Sequence, residues 1–325
     1  RGTMDTTSHN FSWQVYEFGG AGGSSYLNDV AIVNENNIWA VGRISVADSA
    51  GEFENYNAVH WDGEKWELVN IETQFRGSTT SPPLQGVFSF AEDDIWATAG
   101  IPRHWDGEKW TLYHLYDMGV LNDSDGGVNR IWGASSDDVY FVGNGGTIVH
   151  YDGQSWTKLE SGTELDIQDI WGANNPLSGE TKILAVASNR TRNEGRELLQ
   201  IKDDHVYKLN TTGLSWSLRS VWFYPHKRYI ICGDGIYMRP DLVGDWQRDE
   251  TFPSLYKDAV RGVHINNIAV AGSFGLLSHF NGNTWRHYVR GDIIDAEYNA
   301  VDISKETIVA VGNYGTLAII TLGSR

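Results

Sequence analysis

The chain has 325 residues, 41% of them hydrophobic, enough for one large core or two ordinary ones. Its net charge of −17 makes a surface that repels phosphate backbones and argues against nucleic acid as a partner. No stretch approaches the roughly 20 apolar residues of a membrane helix, and 36 Gly against 7 Pro, with 14 Trp, predict an all-β chain of short strands and tight turns.

Residues 1–10, "RGTMDTTSHN", read as a cloning remnant and linker. Next comes "FSWQVYEF", Phe11–Phe18, a strand-like run with Trp13 near its start. From there two kinds of segment alternate along the chain. The first kind begins at Leu27 ("LNDVAIV"), Leu84 ("LQGVFSF"), Val128 ("VNRIWGA"), Ile167 ("IQDIWGA"), Leu218 ("LRSVWFY"), Val260 ("VRGVHI") and Tyr298 ("YNAVDI"). The second kind is an apolar strand closing on a small residue: Gly42, Gly100, Gly143, Ser188, Gly233, Gly272 and Gly312. Seven copies of each, with a period of roughly 40–45 residues between loop insertions, predict seven four-stranded propeller blades. We call the strands of a blade a, b, c and d.

The c–d connection carries a written-out repeat. "HWDGEKW" occurs at His60–Trp66 and again at His104–Trp110, with variants "HYDGQSW" at His150–Trp156 and "HFNGNTW" at His279–Trp285. Asp-Gly between strands is a hairpin signal, because glycine accepts the positive φ such turns need. Equivalent histidines of different blades cannot converge on one substrate or metal, so the motif reads as a structural joint. The last unit, Tyr298–Leu322, has no d strand of its own. Phe11–Phe18 resembles one, and the sequence therefore predicts that the N-terminal strand closes the seventh blade. The domain reading is one propeller over 11–325. Cys232, the lone cysteine, sits in the apolar run "RYIICG" and reads as buried and inert.

These repeats resemble those of bacterial extracytoplasmic seven-bladed β-propellers, built from W-G-x-x-x-x-D-[IV]-[WY]-x-V-G and D-G-x-x-W. That resemblance implies a secreted or lipid-anchored envelope protein, and most such proteins have no assigned activity. There is a looser similarity to the Asp-box, S-x-D-x-G-x-T-W. The Asp-to-Trp spacing here is one residue shorter and the Ser is replaced, so sialidase chemistry does not transfer.

Function is sought where the repeat breaks. The a–b and c–d turns are monotonous ("NENN", "AEDD", "SSDD", "DGEK"), whereas the d–a and b–c connections carry long, varied loops. These include "RISVADSAGEFENYN", "NIETQFRGSTTSPP", "YHLYDMGVLNDSDGG", "NRTRNEGRE" and "RGDIIDAE". On that side two candidate binding sets stand out. At the starts of the a strands, Asn28, Gln85, Asn129, Arg130, Gln168, Asp169, Arg219, Arg261 and Asn299 are polar and could ring a channel mouth, with the arginines suited to an anion. Asp29, Asp169 and Asp292 are the acids nominated to pair with those arginines. On the rim, Tyr56, Tyr116, Trp216, Phe252 and Tyr256 could stack on sugars or anchor a protein. The bland readings are a wet channel lining and aromatics that pack their own loops.

"NDSDGG", Asn122–Gly127, lacks the bidentate Glu that a calcium loop of this kind requires, and no nucleophile elbow, zinc motif or phosphate loop occurs. No catalytic residue, metal or cofactor is assigned. The expected protein is a monomeric, non-enzymatic binding or scaffold propeller that recognises a glycan or protein on its long-loop side. The alternative is a propeller glycosidase, lyase or lactonase acting at the channel mouth.

Overall fold

The structure is a computed structural model, which describes residues 6–20, 22–175, 178–189, 194–289 and 291–325. Its strands form seven blade sheets. The first holds β2 (Tyr26–Asn34), β3 (Asn37–Ala47), β4 (Phe53–Trp61) and β5 (Trp66–Val69). A two-stranded hairpin, β6 (Thr73–Phe75) and β7 (Ser78–Thr80), follows it. The second holds β8 (Gly86–Ala91), β9 (Asp94–Thr98), β10 (Pro102–Trp105) and β11 (Trp110–Leu112). The third is β12 (Val128–Ser135) to β15 (Trp156–Leu159), and the fourth β16 (Ile167–Asn174) to β19 (His205–Leu209). The fifth has three regular strands, β20 (Leu218–Tyr224), β21 (Arg228–Gly233) and β22 (Ile236–Arg239). Its fourth place is taken by an irregular segment that bridges Tyr237 through Arg248. The sixth runs from β23 (Lys257–His264) to β26 (Trp285–Tyr288), and the seventh joins β27 (Glu297–Ile303), β28 (Thr307–Tyr314) and β29 (Leu317–Ser324) to β1 (Ser12–Phe18). This is the strand arrangement of a seven-bladed β-propeller.

The chain clusters into two compact units, residues 1–92 with 255–325, and residues 93–254. In the first unit the N-terminal strand completes the seventh blade as expected, pairing from Ser12 opposite Ser324 to Phe18 opposite Ala318. Trp13 then lies over Gly323, where a Cβ would stand 2.3 Å from the indole, and packs edge-on against Tyr288 at 5.0 Å. Between the seventh and first blades, Leu27, Val30, Ile38, Val309, Val311 and Ile320 make a core sealed by Tyr16, Phe18 and Trp66. Residues 6–10 are more than a linker. Thr7 bonds the carbonyls of Asn281 and Asn266, and His9 contacts His279, so this segment lies along the sixth blade. In the second unit, Leu184, Leu218, Val221, Phe223, Ile231 and Trp246 build the core between the fourth and fifth blades. Cys232 is buried there, as expected.

The repeated motif is a joint whose turn amides are capped from within. In each c–d turn the Asp or Asn side chain accepts two backbone N–H groups: Asp62 those of Glu64 and Lys65, both at 2.9 Å, and Asn281 those of Asn283 and Thr284. Gly63, Gly107, Gly153 and Gly282 follow at φ between 86° and 98°. Strand d then opens on Trp66, Trp110, Trp156 or Trp285, each opposite an aromatic of strand c, with ring centres 4.7 Å apart for Tyr151 and Trp156. The motif histidine points to the first residue of strand b. Its Nε2 donates to Asn37 Oδ1 from His60, to Asp94 Oδ1 from His104, to Asp138 Oδ1 from His150 and to Asn267 Oδ1 from His279. In three blades the ring also stacks on the aromatic two residues further along strand b: Trp39, Trp96 or Tyr140, at 4.1–4.3 Å. The "NN" and "DD" of the a–b turns and the "H" of the motif are thus two halves of one contact.

The glycines ending strand b have a different cause. A Cβ on Gly42, Gly143, Gly233, Gly272 or Gly312 would lie about 2 Å from the backbone oxygen of the residue entering strand a, so the two backbones meet too closely for a side chain. Pairing also corrects the alignment. Leu27 faces Gly42 and Ile167 faces Ala187, so Ser188 lies one residue beyond the slot; in the second blade Gly100 lies one beyond Ala99 in the same way.

Candidate functional site

The polar a-strand starts occupy one recurrent backbone feature. Opposite each close approach the a–b ladder skips a residue: Asn28, Asn129, Gln168, Arg219, Asp258 and Asn299 fall in β-bulges. A bulged residue leaves the ladder and its side chain is free to bond elsewhere. Asn28 Nδ2 donates to Leu84 O and Asn299 Nδ2 to Leu27 O, each at 2.8 Å, which ties one a strand to the next. Asn129 Nδ2 bonds Asn144 Oδ1, and Gln168 Nε2 bonds the Ser188 and Asp166 carbonyls. Gln85, half-buried, precedes β8.

Arg261 is a correction to the sequence reading. The sixth a strand begins at Lys257, opposite Gly272, so the bulge falls on Asp258 and Arg261 lies three residues beyond it. The shift was hidden because Lys257, only 1% exposed, occupies the place that an apolar residue (Leu27, Val128, Ile167, Leu218 or Tyr298) takes in other blades.

The nominated acids serve the backbone. Asp29 Oδ2 accepts Val87 N–H at 3.2 Å, and Asp169 Oδ2 accepts Val221 N–H at 3.1 Å and the Ser220 hydroxyl at 2.5 Å. Asp302, which the sequence reading passed over, does the same through Oδ2 to Ile32 N–H at 2.8 Å and through Oδ1 to Ile303 N–H. Burial raises the Asp302 carboxyl to about 6, against the pull of those N–H groups and of Arg261; Asp29 adds like-charge repulsion. Arg219 bonds Gln168 Oε1 at 2.8 Å, while Arg261 and Arg130 bond the carbonyls of Val260 and Asn129. Asp292 caps its own loop at Val289 N–H. Across both units these carboxylates and amides join neighbouring a strands or brace their own loops.

The rim aromatics divide. Phe252 is 6% exposed and belongs to the packed interior. Tyr56, Tyr116, Trp216 and Tyr256 are half-buried. Tyr56 stands opposite Ile44, and its bond to Glu54 raises the phenol above its usual range. Tyr116 donates to Asp125 O. Exposed aromatics lie instead at Phe53 (44%), Phe274 (52%) and Tyr314 (51%), on b–c connections of the first unit, and at Tyr207 (52%) on strand d of the fourth blade. Phe53 was visible in a long loop. Phe274 and Tyr314 sit in the short turns "GSFGL" and "GNYGT", whose third blade counterpart, "GNGGT", has Gly145 at that place. Comparing these turns with one another is the signal that finds them.

In the second unit, Asp125 of the "NDSDGG" loop holds Lys158 Nζ at 2.7 Å and the backbone of Asn122. An open cleft of about 470 Å³ lies beside them, lined also by Gly145, Ser161, Thr163 and Glu164. Among the described residues no group of three or more His, Cys, Asp or Glu side chains is placed to hold a metal ion. Of "NRTRNEGRE", residues 190–193 lie outside the described residues, as does residue 290 of "RGDIIDAE".

No protein-family model matches the sequence, and no curated protein matches it. Solved structures do. The chain is similar to YCF48 bound to D1 peptide, at 17% identity and a TM-score of 0.67, over 99% of this chain and 100% of that one. It is similar to the WD40 β-propeller domain of Doa1, at 15% and 0.67, over 97% and 98%. It is also similar to a catalytically inactive virginiamycin B lyase from Staphylococcus aureus with quinupristin, at 13% and 0.64, over 97% and 100%. The likeness is one of fold. A peptide-bound protein and a lyase share it, so the chemistry must be argued from this chain's own residues.

Proposed function

We propose that this protein is a non-catalytic binding or scaffold module that recognises a protein, or a glycan, through its b–c and d–a connections. The observation that carries the reading is the use of the a-strand acids. A carboxylate enzyme needs two acids free to reach substrate, yet Asp29, Asp169 and Asp302 each accept a backbone N–H of the next a strand. Three of the exposed aromatics, Phe53, Phe274 and Tyr314, lie elsewhere, on b–c connections. The peptide-bound YCF48 structure is consistent with this reading by fold. The extracytoplasmic placement rests on the repeat resemblance alone.

Two measurements on the intact chain test the proposal. Peptide and glycan arrays should give saturable binding. Asp169→Asn should lower the melting temperature while leaving that binding in place. Turnover of a glycoside, lactone or uronate substrate that disappears in Asp169→Asn, with folding intact, would overturn it in favour of an enzyme.

A further inference from the structure

We infer that the first unit carries a docking surface for a cationic peptide segment of a partner protein, built from Phe53, Phe274 and Tyr314. This deepens the binding-module reading and rests on it. The three residues come from the b–c connections of the first, sixth and seventh blades, which follow one another through β23, β27 and β2. Hydrogen bonds and strand pairings link them. Phe274 N–H donates to Glu297 Oε1, and Glu297 stands opposite Asn313, beside Tyr314. Ser25 N–H donates to Thr316 O, and Ser25 Oγ accepts Ser45 N–H, on the strand pair that ends at Ala47 opposite Phe53. The Phe53 ring lies against Gly22 and Gly23.

Phe274 is costly where it stands. Its φ is +55°, matching Gly145 at +59° in the third-blade turn, and an L side chain in that region costs roughly 1–2 kcal/mol. Folding alone would favour glycine at a half-exposed turn. An aromatic at that cost points to use.

Charge selects the occupant. Glu52 and Glu54 flank Phe53, Glu297 lies under Phe274, and Asp292 and Asp295 are exposed in the connection before β27. Arg43 is the cation among the described residues of these connections. Aromatic faces beside carboxylates attract arginine and lysine by cation–π and Coulomb terms together, and an acidic surface repels acidic segments. Rings at such a surface supply the anchors of a peptide interface.

The test is a selection of phage-displayed random dodecapeptides on the immobilised full chain, followed by affinities of resynthesised winners at low and high salt. Selected peptides should be rich in Arg or Lys beside apolar residues, and should weaken in salt. Affinity should fall about tenfold or more in Phe274→Gly/Tyr314→Ser. Phe274→Gly suits its turn geometry, so lost binding would not reflect lost folding. Tyr207→Ser, an exposed tyrosine of the other unit, should bind as wild type. Peptides without a basic bias, or binding indifferent to the double variant, would overturn this surface yet leave the binding-module reading standing. No selected peptide at all would overturn this surface, and with no binding on the glycan array either it would overturn both.

Discussion

The two ends of strand c obey different rules. At its c–d end, four blades repeat one arrangement: a side-chain oxygen capping two amides, a glycine at positive φ, an aromatic pair, and a histidine bonded to strand b. At its b–c end, equivalent turns hold Gly145, Phe274 or Tyr314, and the two aromatics are half in solvent. Where the turn's side-chain oxygen and the motif histidine are bonded within the blade, the sequence repeats because a change there breaks a bond. Where the side chain has no task inside the blade, it varies, and what it keeps is available to a partner.

Removing the Trp of the strand that closes the seventh blade should be most damaging. Trp13→Ala takes the indole from Tyr288 and from the surface of Gly323, and should cost about 3 kcal/mol in chemical denaturation. A loss below about 1 kcal/mol would mean that the N-terminal strand does not hold the seventh blade. Gly63→Val comes next. With φ at +97° and Asn36 Oδ1 2.9 Å from the new Cβ, it should cost about 2 kcal/mol without any selective effect on binding. A variant that melts normally but binds nothing would give the joint a function.

The sixth blade gives a pH version of the comparison, because its joint is reached by the N-terminal segment. Thr284 donates to His9 Nε2, His9 Nδ1 donates to His279 Nδ1 at 2.8 Å, and His279 Nε2 donates to Asn267. With His279 Nε2 donating to Asn267, His279 must stay neutral for its Nδ1 to accept from His9. Burial holds His279 down to about 3, with help from His9 and Arg325, and lowers His9 too. A depressed base makes the unfolded state bind more protons. Its stabilisation is complete above about 6.5 and is lost as pH falls toward 3. His9→Ala should flatten the stability curve across that window. Parallel wild-type and His9→Ala curves would show that the pair is not its source.

The smallest effect is expected at the other end of strand c. Phe274→Gly should leave stability within about 1 kcal/mol of wild type, on the stabilised side, because relief of the left-handed residue offsets glycine's entropy. A clear destabilisation would mean that the ring packs for folding, and the contrast between the two ends would dissolve.

Periodicity alone determined the seven blades, the c–d hairpins with Trp opening strand d, and the closing of the seventh blade by Phe11–Phe18. Each is a local rule written many times, so one sequence served as its own alignment. Tertiary structure decided the rest. The polar a-strand starts were legible as a pattern, but the bulges that explain them depend on where two backbones pass, and a buried Lys257 moved the sixth one by three residues. That the a-strand acids bind amides of the next blade could not be read, since an acid spent on the backbone and an acid free for ligand look alike in a string. Phe274 and Tyr314 escaped notice because loop length was the guide, whereas exposure is set by how neighbouring chains leave a short turn uncovered.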